Sequence, residues 1–249
     1  MRVNLATSGD APKEVSPLEF QSVSRSHVGR VRKVNEDRVL DRPDRALWAV
    51  ADGMGGHRGG DIAADLAIAA LRGLVDSSVP ITRAAIFAAL ERANAEILAR
   101  GEEAGGVIGS TIIVLHIAGG VAHIFWAGDS RAYRARNGGW EQLTSDHSLV
   151  QQLIDQGLID RAQAARHPQG HVITRALGVD AAVEVEAVSF AVDAGDALLL
   201  CSDGLSRSLS AEIPAGFDSI DPRAADRILA DALENDGSDN ISFVIVSAT

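Results

Sequence analysis

Five short acidic motifs punctuate this chain from end to end. They are Asn35-Glu36-Asp37, Ala51-Asp52-Gly53-Met54-Gly55-Gly56, Gly128-Asp129-Ser130-Arg131, Ser202-Asp203-Gly204 and Ser238-Asp239-Asn240. Several of the aspartates follow an apolar, β-branched or small-residue run and precede Gly or Asn. That context reads as a strand leaving the core at a turn. A single such aspartate is an ordinary turn former. Several at strand ends can converge on one edge of a sheet, and converging carboxylates repel unless a cation lies between them. Oxygen-only donors suit Mg2+ or Mn2+, whereas Zn2+ and Cu2+ select His or Cys. The pattern points to a hydrolase that holds hard divalent metals.

The segments between the motifs set the fold class. Residues 1–17 are polar, with Gly9, Pro12 and Pro17, and read as a flexible tail. Strands are expected from Phe20 to Ser24 and from Leu47 to Ala51, the second ending at Asp52. Two helical stretches follow, Asp61–Val75 and Arg83–Arg100, the latter placing Ile86, Leu90, Ala93 and Ile97 on one face. A run of strands comes next: Ser110–Ile117, Val121–Ala127 and Ala132–Arg136. Helices are expected at Ser148–Gln156, Arg161–Arg166 and Pro222–Asn235, with strands at Val183–Ala191, Ala197–Cys201 and Ile241–Ser247. Strands in runs with helices in blocks indicate an α+β arrangement rather than alternating βαβ units. With no internal repeat and no low-complexity linker, residues 18–249 read as one domain.

Composition excludes several classes. The 34 acidic residues against 23 basic ones give a net charge of −11, which disfavours nucleic acid and anionic membrane as partners. The uncharged span between Glu103 and Asp129 is long enough for a membrane helix. It is interrupted by Gly119-Gly120 and contains the β-branched run Thr111-Ile112-Ile113-Val114, so two strands joined by a turn fit better. No basic region followed by an apolar stretch marks a secretory signal, and the single cysteine, Cys201, cannot form an intrachain disulfide. A cytoplasmic, monomeric protein is expected.

The ordered set of motifs resembles the metal-dependent serine/threonine protein phosphatases of the 2C type, in their compact bacterial form. It includes Arg32-x-x-Asn35-Glu36-Asp37, Val50-Ala-Asp52-Gly53-Met-Gly-Gly-His57, Gly109-Ser-Thr111, Ala127-Gly-Asp129-Ser-Arg131, Leu143-Thr-Ser-Asp146-His147-Ser148, Thr174-Arg-Ala-Leu-Gly178, Ser202-Asp203-Gly204 and Asp239-Asn240. The resemblance runs from about Val23 to Ser247. It implies a β-sandwich of two antiparallel sheets flanked by helices on both sides, with the metal centre at one end. It implies hydrolysis of phosphoserine and phosphothreonine in proteins by a water shared between two Mn2+ or Mg2+ ions, opposing a Ser/Thr kinase. By position, Asp52 resembles the carboxylate bridging both metals, with the Gly53 carbonyl completing one site. Asp203 and Asp239 resemble ligands of the other metal, and Asp37 also counts among the metal-site acids. Glu36, like Asp37, resembles residues that hold metal-bound water, and Asn240 stands beside Asp239 as a supporting residue. Asp129, with Asp203, resembles a weaker third site. Arg32 resembles the side chain that grips the substrate phosphate. The polar segment of about 146–170 resembles the family's flap, where substrate selectivity resides.

One departure and two rival readings accompany the resemblance. Some family members carry His directly after Asp-Gly, able to protonate the leaving oxygen; here the residue is Met54, which has no proton to give. Slower turnover at low pH than in a His-bearing relative is therefore expected. His57 is near in sequence without a demonstrated direction. Cys201-Ser-Asp-Gly-Leu-Ser-Arg207 has the spacing of a cysteine-dependent phosphatase loop, but Asp203 inside it opposes a thiolate. The other rival is a non-catalytic metal-binding module that recognises phosphoproteins or regulates a partner. It would require lost ligands, and none of the expected acids is missing.

Overall fold

The computed structural model describes residues 18–55, 59–209 and 220–249. The expected tail and His57 lie outside them. Alternation along the strands generates the architecture. β1 (Phe20–His27), β11 (Ile241–Ala248), β10 (Ala197–Cys201), β7 (Arg131–Arg136) and β8 (Gly139–Gln142) form one antiparallel sheet in that order. The second runs β2 (Asp37–Arg42), β3 (Leu47–Met54), β5 (Ile112–Ala118), β6 (Val121–Ala127) and β9 (Glu186–Ala191), with the short β4 (Gly109–Ser110) pairing with the end of β3.

Successive residues of a strand face opposite sides, and here both sides are apolar. Trp48, Val50, Ile113, Leu115, Ile124 and Trp126 point between the sheets and meet Leu198, Leu200, Val244 and Val246. Their neighbours Ala49, Ala51, Ile112, Val114 and Phe125 face the other way. They pack under α1 (Gly60–Asp76) and α2 (Arg83–Ala104). On the opposite flank, Leu199, Cys201, Phe243 and Ile245 pack under α5 (Asp203–Ser208) and α6 (Pro222–Asn235). Three apolar layers thus hold helices, sheet, sheet and helices together, each large buried side chain contributing about 1.5–3 kcal/mol. Local signals start and stop the helices. Thr82 caps α2 by accepting the Ala85 N–H at 3.1 Å, and Gly105 ends it at φ 70. Asp221 and Pro222 open α6.

The uncharged span is strands β4 to β6, and no helix among the described residues is long and apolar enough to cross a membrane. Some expectations shift: the strand expected from Val183 starts at Glu186, and the helix expected over Arg161–Arg166 ends at Ala164. β3 does not stop at Asp52 but continues through Met54, because Gly53 and Met54 pair with Ser110 and Gly109. The expected strand 110–117 is broken at Thr111, whose backbone N–H turns to the Asp52 carbonyl at 2.8 Å. α3 (Leu149–Asp155) and α4 (Arg161–Ala164) occupy the polar segment between β8 and β9.

Candidate active site

The acids gather at one end of the sandwich because the strands that carry them end there. Asp37 opens β2 and lies in register opposite Asp52 of β3. Asp129 follows β6, Asp203 begins α5 directly after β10, and Asp239 precedes β11. Each is thus delivered by a rigid element of one sheet or the other.

Asp37 is buried, with only 2% of its surface exposed. Its Oδ2 accepts the Ser202 hydroxyl at 2.8 Å, and Ser202 Oγ in turn accepts the Ser242 N–H at 3.0 Å. This chain of contacts ties the ends of the two sheets together. Burial, and secondarily the charges of Asp203 and Asp239, push the Asp37 carboxyl up to about 7. Asp52 reaches the cleft surface yet is held well above the usual carboxylate range. Burial contributes most, followed by the charges of Asp37, Asp203, Asp129 and Asp239. The charges of all four acids thus bear on this one carboxyl.

Asp129 sits at the bend between β6 and β7. Gly128 makes the bend at φ +119, and a Cβ there would lie 2.5 Å from Thr111 Cβ. Burial, then Asp203 and Asp146, push the Asp129 carboxyl up to about 7. Asp203 is raised too, by burial first, while Arg207 opposes the rise. Arg207 Nη2 stands 2.6 Å from Asp203 and 3.8 Å from Asp129. On the other side, Arg32 Nη2 donates to Asp239 Oδ2 at 2.7 Å. Arg32 is therefore at the cluster, paired there with an acid.

Glu36 and Asn240 build the corner beside Asp37. Asn240 Oδ1 accepts the Glu36 N–H at 2.8 Å, and its Nδ2 donates to the carbonyls of Val28 and Val34 at 2.9 and 3.0 Å. The Gly53 N–H donates to the Glu36 carbonyl at 3.2 Å. A Cβ on Gly53 would stand 2.0 Å from the Gly60 carbonyl oxygen, so only glycine lets β3 pass this close to the start of α1.

Several contributors stand in the quoted motifs without a role assigned to them there. Thr111 Oγ1 accepts the Asp52 N–H at 3.2 Å and meets Ser130 Oγ at 2.8 Å, joining the two acidic loops. The expected helix start at His147-Ser148 divides between them. Ser148 caps α3, whereas His147 is buried, stacks on Trp126 and accepts the Gly128 N–H through Nδ1 at 3.2 Å. Arg207, read in the sequence only as the arginine of the rival cysteine loop, instead pairs with Asp203 four residues before it. His116 and His123 stay with strands β5 and β6: His116 meets the Ala46 and Ile81 carbonyls, and His123 meets Ser189.

The donor set fits a hard cation. Asp37 Oδ1, Asp129 Oδ1 and Asp203 Oδ1 are buried without any hydrogen-bond partner among the described residues. A buried, unpaired carboxylate oxygen is costly, and a divalent ion satisfies several at once. As they stand, no three His, Cys, Asp or Glu side chains among the described residues are arranged to hold a metal ion, and Arg32 and Arg207 reach in among the acids. Cys201 is fully buried in β10, and burial pushes its thiol up to about 12. Arg207 turns to Asp203, so the loop is not a thiolate–arginine phosphate clamp.

Comparison with known proteins points to one family. The family model described as "Protein phosphatase 2C" matches residues 25–235. The serine/threonine phosphatase stp of Listeria innocua serovar 6a is 34% identical over 236 residues, covering 89% of this chain and 93% of that protein. The serine/threonine protein phosphatase PstP of Mycobacterium tuberculosis is 37% identical over 238 residues, covering 92% of this chain and 45% of that longer protein. A crystal structure of the catalytic domain of PstP in complex with two manganese ions superposes with a TM-score of 0.82 at 35% identity. It covers 94% of this chain and 100% of that one.

Proposed function

We propose, since the chain belongs to the protein phosphatase 2C family and acts on phosphoserine and phosphothreonine in proteins, that Asp37, Asp52, Asp203 and Asp239, with the Gly53 carbonyl, would hold two Mn2+ or Mg2+ ions. Asp52, central among the acids, would serve both ions. Asp129 and Asp203 offer a weaker third site. The observation that carries this reading is the set of three buried, unpartnered carboxylate oxygens at one end of the sandwich. When bound, the pair of cations supplies hydroxide near neutral pH and neutralises charge developing on the phosphoryl oxygens.

The chain's own residues do the rest. Arg32 lies at the mouth of the cluster, half-exposed, with a planar fork suited to two phosphate oxygens. Its present partner Asp239 is one of the proposed metal-site acids, so with the site filled the guanidinium would be free to turn to substrate. Asn240 holds the Glu36 backbone beside Asp37 in place, and Ser202 fixes the Asp37 carboxylate. Met54 packs toward Gly109 and has no proton to give the leaving oxygen, so that proton must come from water or from another residue. The substrates are made by phosphoryl transfer from ATP, which pairs the enzyme with a cytoplasmic Ser/Thr kinase.

Titration calorimetry with Mn2+ tests the ligand set. Wild type should bind at least two ions, and Asp239→Asn should lose one with at least tenfold weaker binding. Equal stoichiometry and affinity in the two proteins would remove Asp239 from the site.

A further inference from the structure

A cavity of about 920 Å³ runs from Asp129 and Asp203 to the inner face of α3 and α4, where Arg161, His167 and His171 line it. We propose that this far end receives a second anionic group of the phosphoprotein, a carboxylate or another phosphate near the scissile one, with Arg161 as the cation that selects it. The inference rests on the phosphatase reading above and names the substrate class that the same site prefers.

The charges lining the cavity are mostly spoken for. Arg131 donates to both oxygens of Asp146, at 2.9 and 2.7 Å. Arg207 is paired with Asp203. On the α3–α4 segment itself, Asp155 accepts from Gln151, and Asp160 accepts the Gln163 N–H in a reciprocal capping box. Asp160, the acid adjacent to Arg161, is engaged in that cap and makes no ion pair with the guanidinium among the described residues. Arg161 is exposed, and its guanidinium makes no ion pair or hydrogen bond among the described residues. A free guanidinium facing a cleft is a natural partner for a planar anion.

The cavity is also directional. Its inner end carries the acids Asp129 and Asp203, which repel an anion unless cations cover them. Its outer end carries the unpaired cation. A phosphopeptide with its scissile phosphate at the metal end therefore gains by placing a second negative charge at the outer end. The volume exceeds that of one phosphate group several-fold, leaving room for the intervening residues.

Phosphothreonine peptides of one length would be compared in Mn2+: one with neutral flanks, a set with a single glutamate two to five residues to either side, and a matching set with phosphoserine. p-Nitrophenyl phosphate reports the chemistry without flanks. Wild type should favour at least one acidic position by roughly three- to tenfold in kcat/KM, expressed in KM. Arg161→Gln should bring that ratio to near one, and Arg161→Lys should restore part of it. Glutamate and phosphoserine results together tell which anion is preferred. If wild type hydrolyses the ester and the neutral peptide without an acidic preference, or if the preference survives in Arg161→Gln, the proposal is overturned while the phosphatase reading stands. If no substrate is hydrolysed, both fall.

Discussion

Asn240 is the side chain whose removal tests the construction of the site most cleanly. It is 5% exposed, and all three of its hydrogen bonds go to backbone on the far side of the chain: the Glu36 N–H and the carbonyls of Val28 and Val34. Asn240→Ala leaves one donor and two acceptors without that partner. At about 1 kcal/mol per bond, the loss is about 3 kcal/mol. For a domain of this size that corresponds to a fall in Tm of about 6–12 °C. Asn240→Asp keeps the acceptor for Glu36 but sets a carboxylate oxygen against two carbonyls, so it should cost at least as much. Urea unfolding followed by circular dichroism gives the stability change, with the slope expected to stay at its wild-type value. Because the bond to the Glu36 N–H fixes the backbone next to Asp37, Mn2+ affinity should drop about 10- to 100-fold. A variant within 0.5 kcal/mol of wild type, binding Mn2+ unchanged, would refute the reasoning.

Three further outcomes follow from the same geometry. Asp37 has its carboxyl pushed from 3.8 to about 7, so its protonated form favours folding; that contribution is present below pH 3.8 and is lost as pH rises through 7. In EDTA, wild type should therefore lose on the order of 2–3 kcal/mol relative to Asp37→Asn between pH 5 and 7, and saturating Mn2+ should abolish the difference; parallel curves in EDTA would contradict it. Gly53→Ala forces a methyl against the Gly60 carbonyl and should cost about 2–4 kcal/mol, whereas Gly73→Ala in α1 meets nothing within 4 Å and should gain about 0.5–1 kcal/mol. Thermal melts of the pair check both signs, and a harmless Gly53→Ala would show that β3 and α1 can separate. Cys201, buried with its thiol pushed up to about 12, should react with iodoacetamide at pH 8 at least about 100-fold more slowly in native protein than in urea; mass spectrometry reads the rates, and equal rates would mean an exposed, reactive thiol.

Legibility in the sequence tracked how local each signal was. β6 could be read to its ends because both its faces are apolar and Gly119-Gly120 marks the turn before it. α6 was equally plain, opened by Asp221-Pro222. β2 was not read, because Asp37–Arg42 contains only Val39 and Leu40 as apolar residues. Its charges find partners elsewhere, as when Arg38 makes two bonds to Asp65. The six-residue α5 is too short to show a period. The acids of the site were visible as strand-end motifs, and the structure brings their elements to one end. What links them was not visible: the Ser202–Asp37 bond spans 165 residues and the Asn240–Glu36 bond 204. Likewise Arg207 reaches Asp129 only because α5 starts where β6 ends in space. Such contacts are set by the stacking of two sheets, which no local pattern encodes.

The central claim, hydrolysis directed by a carboxylate metal site rather than by a thiolate, is tested most directly with a phosphothreonine peptide. Phosphate release would be measured in Mn2+ and in EDTA for wild type, Asp239→Asn and Cys201→Ser. The account predicts activity that requires Mn2+, falls about 100-fold or more in Asp239→Asn and persists in Cys201→Ser. Activity that persists in EDTA and disappears in Cys201→Ser would contradict it.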